Sequence, residues 1–334
     1  MKMNINPVLK KEIISTSRSM KLPVFIFIVN VICAIAFLCA IIAIDNSYLD
    51  VGTSIEDSMM PYYKMINVRT ILNVYEAGEN VRIVIALFLA LEFAVIYLVI
   101  PSYCASSIAE ERQQQTYETL ITTGYSRKKI ILGKMMGGMV VMFTYVASSL
   151  PFLIGMLGMY SVSIKRLFVI IAGMLINGYF CAGVGAFAGS KAKNTRSSNV
   201  LGIAWVMAIT FFTIVIPAAC YGIKSVIYNY DYYFGDKDEL IGVSVGPIKY
   251  LTLFNPLISV CSLIMKAIGV NYSVKDLAEE FGGSLRVCSA VEEYWTIISL
   301  LLLACMGTLF FYLASVRINP LKRLCRYKKK ISPQ

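Results

Sequence analysis

Long apolar runs dominate the chain, separated by short polar stretches. Six of them, at about 22–44, 83–104, 135–158, 167–188, 199–221 and 294–316, carry one charge at most. A helix of about 20 apolar residues crosses the ~30 Å hydrocarbon core, so each run predicts a spanning helix. Such runs are too long and too continuous for the strands of a membrane barrel. The pattern predicts an all-α, polytopic membrane protein with six transmembrane helices in a single membrane domain over 1–334.

Two weaker patterns complete the architecture. The segment Asn6–Met20, NPVLKKEIISTSRSM, reads as a short amphipathic helix within the cytoplasmic segment 1–21. Asn6 suits its cap and Pro7 its first position. Leu9, Ile13 and Met20 recur at helical spacing, with Lys10, Lys11 and Arg18 placed to meet lipid phosphates. Residues 45–82 are expected to form a small external loop. In the later segment 222–293, YLTLFNPLISVCSLIMKAIGV is nearly as hydrophobic as a span. Pro256 disfavours helical geometry at Asn255, so a pair of short helices dipping into or lying on the outer leaflet is predicted there. A seventh span would instead carry the basic tail 317–334 to the outside.

Charge fixes the expected orientation. With the N-terminus inside, segments 1–21, 105–134, 189–198 and 317–334 hold 20 Lys/Arg against 4 acids, whereas 45–82, 159–166 and 222–293 hold 11 against 15. This is the positive-inside arrangement, with both termini cytoplasmic. Composition agrees: 57% of residues are hydrophobic and 15% charged, where soluble domains carry about 25% charged. The basic residues flank spans and do not form an aromatic-interleaved patch, so nucleic acid is not an expected partner. The first apolar run exceeds a signal core in length, has no small-residue cleavage site after it and is expected to be retained. Cys261 and Cys288 both fall in the last external segment, where a disulfide or two free thiols are open alternatives.

The candidate chemistry is sparse. The sequence has no histidine, which removes His triads and His metal ligands, and no metal site is expected. Gly133-Lys134 fails as a P-loop, since Lys128 stands where the first Gly is required and Met135 replaces Ser/Thr. No catalytic residue is assigned. Glu92 is the one ionisable residue in a span. A charge there costs roughly 2.5–3.5 kcal/mol on insertion scales, so it should face protein or water. It reads either as part of a translocation or proton path, with Asn30 and Asn177, or as a carboxyl packed against one of those amides. Gly183, Gly185 and Gly189 would let helices approach closely, more readily within the chain than between copies.

The polar run after the second span, PSYCASSIAEERQQQTYETLITTGYSRKKIILGK, closely resembles the cytoplasmic loop of ABC-2-type transporter permeases. The matching positions are Pro101, Ile108, Ala109, Glu111, Arg112, Thr116, Glu118, Leu120, Thr122, Thr123, Ser126, Ile130, Gly133 and Lys134. Gln115 departs from the usual Gly, and Gly124 from a frequent Pro. The NPVLKKEI opening and the LFNP run are similar to the family's surface helix and outer helices.

The resemblance implies a permease subunit of a bacterial ATP-driven exporter in the cytoplasmic membrane. It implies a second permease, identical or homologous, and two ABC ATP-binding subunits that carry the ATP and Mg. No cofactor is expected on this chain. A coupling helix within 107–124 would dock on the ATPase. Tyr117, Leu120 and Ile121 give it an apolar face, and Glu110, Glu111, Arg112, Thr116 and Glu118 surround that face with polar and charged groups. Gly124 would stop the helix and Ser126 cap the next. Asn255 and Pro256 would belong to an outer gate. An amphipathic cargo is expected, a peptide or hydrophobic antibiotic first, with a lipid-linked glycan or sodium as alternatives. A lone secondary transporter or a peptide-sensing immunity protein are the competing readings.

Overall fold

The computed structural model describes residues 7–18, 23–38, 42, 68–114, 126–159, 164–192, 194–234, 246–268 and 294–317. They form α1 (Pro7–Arg18), α2 (Pro23–Leu38), α3 (Val68–Gln113), α4 (Arg127–Met159), α5 (Ile164–Lys191) and α6 (Thr195–Phe234). A 3-10 helix (Gly246–Phe254), α7 (Pro256–Ala267) and α8 (Trp295–Arg317) follow. No strand occurs among the described residues.

Five helices are long and apolar enough to span: Ile83–Gln113, Lys128–Gly155, Ile164–Lys191, Thr195–Cys220 and Trp295–Arg317. They coincide with the last five predicted spans, and the protein is a multi-pass membrane protein. The first predicted span, 22–44, corresponds to the shorter apolar helix α2. Two predicted external loops are partly helical. Residues 68–82 extend α3 beyond its apolar stretch, and 222–234 extend α6. Pro101 is accommodated within the second span. It lies inside α3, which continues for twelve residues to Gln113. A proline removes one i→i−4 bond, but packing on both sides of this turn holds the helix together.

α5 is the central element, contacting α3, α4, α6, α7 and α8. Its small residues explain why. A Cβ on Gly183 would lie 2.5 Å from the Gly307 carbonyl of α8, and one on Gly189 2.5 Å from the Ala105 carbonyl of α3. Gly185 sits between them against the Pro101 carbonyl. These glycines serve packing within the chain, as the sequence favours. Around them Phe93, Ile96, Ile100, Met142, Phe180 and Leu303 are fully buried and build one core.

The segment 250–270 is a broken pair of short helices. The break falls at Asn255, where the 3-10 helix stops and α7 begins at Pro256. Asn255 Oδ1 caps α7 by accepting from the Ile258 N–H at 3.0 Å. Its Nδ2 donates to the Thr210 carbonyl (2.9 Å) and Thr213 Oγ1 (2.6 Å) of α6. The Tyr97 hydroxyl of α3 lies 2.6 Å from Asn177 Oδ1 and 3.1 Å from the Pro256 carbonyl. Asn177 is at the midpoint of α5, so the break sits deep in the bundle and not at its rim. α7 then runs back toward the Ile164 end of α5, since Leu263 packs against Gly173, one turn before Asn177. The two short helices therefore meet at mid-depth of the bundle. Irregular backbone at that depth survives because Asn255 is fully enclosed by protein and its amide is satisfied. Cys261, half-buried on α7, is a free thiol, and Cys288 lies outside the described residues.

Candidate functional site

The end of the bundle that gathers the termini of α3, α4, α5, α6 and α8 carries a buried ionic node. Lys134 stands in the second turn of α4, among Ile130, Ile131 and Met135, and is 2% exposed. Its Nζ donates to Glu12 of α1 at 2.8 Å, to the Ser107 carbonyl at 2.7 Å and to Ser107 Oγ at 3.0 Å. It also pairs with Glu111 of α3 at 3.2 Å. Glu111 accepts from Lys11 at 3.0 Å. Two acids and two bases thus bind α1, α3 and α4 together. Hydrogen bonding to Glu111 raises the Lys11 pKa above its ordinary value, against a smaller opposing effect of burial. Lys11 is therefore directed at protein and not at lipid phosphate.

α1 fits against α4 along a face the sequence pattern does not show. Val8, Glu12 and Thr16, four residues apart, turn inward, while Ile13 and Ile14 are exposed. Gly137 makes room, since a Cβ there would lie 3.2 Å from Glu12 Cβ. Thr16 Oγ1 and the Tyr103 hydroxyl share a 2.6 Å hydrogen bond.

The residues after Glu111 reach the opposite side. Arg112 Nη1 donates to the Ala192 carbonyl at 2.9 Å, just past the end of α5. A cation is favourable against those unpaired carbonyls. Gln113 Oε1 accepts from the Thr195 hydroxyl (2.8 Å) and N–H (3.3 Å) at the start of α6. Three consecutive residues of α3 thereby contact α1, α4, α5 and α6.

The expected coupling residues divide accordingly. Glu110, Glu111 and Arg112 belong to the last turn of α3 itself, so 107–113 continues the span and is no separate helix. Glu110 is exposed, whereas Glu111 and Arg112 make the internal contacts above. Thr116, Tyr117, Glu118, Leu120, Ile121 and Gly124 lie outside the described residues. Ser126 immediately precedes α4, and its carbonyl accepts from the N–H groups of Lys129 and Ile130. Glu12, Ser107 and Lys134 are site residues that reading the sequence missed. A lysine inside the apolar run IILGKMM was the available signal.

The three mid-span polar residues do not converge. Glu92 is fully buried, and Oε1 accepts from the Cys33 thiol of α2 at 3.3 Å. Tyr145 and Ser149 of α4 face the same carboxyl, yet Glu92 Oε2 and the Tyr145 hydroxyl have no partner in hydrogen-bond geometry. Asn30, one turn from Cys33, donates to Ser148 Oγ at 3.2 Å and to the Ile26 carbonyl. Glu92 and Asn30 therefore share the α2–α3–α4 seam without bonding each other. Asn177 belongs to the Tyr97–Pro256 junction, on another side of α3. Asn255 and Pro256, expected at an outer gate, are the mid-depth break described above.

A family model described as ABC-2 family transporter protein matches residues 45–316. No curated protein matches the chain significantly. With a match over most of its length and helices long enough to span, the chain belongs to the ABC-2 family of transporter proteins.

Proposed function

We propose that this chain is the permease subunit of an ATP-driven exporter, receiving motion from an ABC ATP-binding subunit through residues 115–125. Family membership implies association with such a subunit. The observation that carries the reading is how the two flanks of 115–125 are fastened. Glu111 lies just before the segment and Lys134 about two turns into the helix that follows it, and the two are paired in the same buried node. A displacement imposed on the segment is thereby passed to α1, α3 and α4, and through Arg112 and Gln113 to α5 and α6.

Two permeases and two ATP-binding subunits make up the proposed complex, with ATP and Mg held by the latter. It sits in a bacterial cytoplasmic membrane with both termini inside. An amphipathic cargo, a peptide or hydrophobic antibiotic, fits helices with a single mid-span acid better than an ion does. Leu120→Asp puts a charge into the proposed apolar docking face. It is expected to weaken capture of the co-expressed ATP-binding subunit about thirtyfold, the effect of a ~2 kcal/mol interface residue. Unchanged capture together with normal ATP turnover would refute docking through this face.

The α2–α3–α4 seam is the proposed translocation surface within the subunit. Glu92→Gln keeps the shape and removes the ionisable group. It is expected to change the range or rate of cargo moved in reconstituted vesicles while ATP-binding-subunit capture stays intact. Identical flux for every cargo tested would remove Glu92 from the path.

A further inference from the structure

Lys191, the last residue of α5, is held against aromatic faces. Its Nζ lies 4.2 Å from the centroid of the Trp205 ring of α6 and 4.5 Å from that of Phe187. Phe187 in turn meets Trp205 edge-on and Phe310 of α8, each at 5.5 Å. Three helices therefore meet on one aromatic cluster with a cation on it. Arg317 closes α8 two turns beyond Phe310, on the same side of that helix.

Helical register thus turns a second cation toward the cluster that holds Lys191. The ion pairs of the described residues involve Lys11 and Lys134 and neither of these two cations. Contact with ring faces contributes only about 0.5–1 kcal/mol at exposed sites, which leaves both cations available to an anion. The surroundings favour a particular kind. Leu313 and Val316 of α8 are exposed apolar residues leading up to Arg317. Trp205 is half-buried beside Lys191, and an indole next to a cation suits the level of the lipid headgroups.

We propose that Lys191 and Arg317, set on the Trp205–Phe187–Phe310 cluster, form a binding site for the phosphate headgroup of an anionic phospholipid. The cations take the phosphate, the indole the glycerol region and the exposed face of α8 an acyl chain. Basic pockets between spanning helices at a membrane surface have this chemistry.

The chain has two tryptophans, so Trp295→Phe leaves Trp205 as the reporter. The variant is placed in phosphatidylcholine vesicles containing either brominated phosphatidylglycerol or brominated phosphatidylcholine at equal mole fraction. Brominated phosphatidylglycerol is expected to quench Trp205 several-fold more strongly. The excess should disappear with Lys191→Gln and Arg317→Gln together, each charge accounting for about fivefold in lipid enrichment. Lys191→Arg should retain it. Trp205→Phe in the natural background reports whether Trp295 contributes. Equal quenching by the two lipids, or an excess that survives the double variant, overturns the site. An excess lost to millimolar inorganic phosphate reassigns it to a free anion and overturns the lipid reading. A double variant that loses the ATP-binding subunit while keeping lipid selectivity overturns it in favour of a protein partner.

Discussion

Replacing Lys134 with Met is expected to destabilise the protein by about 3–5 kcal/mol, the usual cost of removing one partner from a buried ion pair. The substitution keeps the volume of the side chain and removes the only cation paired with Glu12 in the described structure. Glu111 keeps Lys11, but that lysine is 60% exposed at its side chain and contributes little. The unfolding midpoint of the purified chain in detergent measures the loss. Adding Glu12→Gln to Lys134→Met removes the uncompensated carboxylate and is expected to recover a substantial part of it. A midpoint unchanged by Lys134→Met would show that water already satisfies Glu12 and that α1 is not fastened through this node.

The second large effect is expected at Gly185. Valine there would drive its Cβ into the Pro101 carbonyl, which is backbone and cannot swing aside. The same carbonyl faces Gly202 of α6, so α3 is hemmed from two helices. Overpacking of this kind costs about 1–3 kcal/mol, occasionally more. Gly222→Val supplies the control, because nothing lies within 4 Å of a Cβ at Gly222. Surface changes of that sort stay within about 0.5 kcal/mol. If both variants shift the unfolding midpoint equally, the loss at Gly185 is one of helix propensity or side-chain entropy, and the close α3–α5 approach does not limit stability.

Much of the helix inventory was legible because lipid enforces a simple rule: a run long enough to cross must be helical, and its ends show as charge. The Asn255-Pro256 break was legible for a comparable reason, since proline acts on its own neighbour. What the pattern could not give was depth. Asn255 looks like a loop residue until its amide is seen paired with Thr210 and Thr213 in the middle of α6. The limits of α3 were also hidden. Pro101 and the acids after it suggest a stop, yet Glu111, Arg112 and Gln113 remain helical because each has a partner on another helix. The same residues show what the pattern leaves open: polarity in a turn between spans marks a contact without saying whether it is internal or external. α1 carried a similar ambiguity. Its apolar spacing points to Leu9 and Ile13, but the pairing of Glu12 with Lys134 orients it differently.

α3 is 46 residues long, about 69 Å at 1.5 Å per residue, or more than twice the ~30 Å of hydrocarbon. α5 and α6 press on it from Tyr97 to Ala105 and hold it again at Arg112 and Gln113. The stretch from Tyr97 to Gln113, about 24 Å, is therefore clamped along its length, and about 44 Å reaches from Tyr97 back to Val68. Geometrically this is a cantilever. A rigid tilt of the clamped stretch by about 5° carries the Val68 end through roughly 4 Å, by the arc length over that extension.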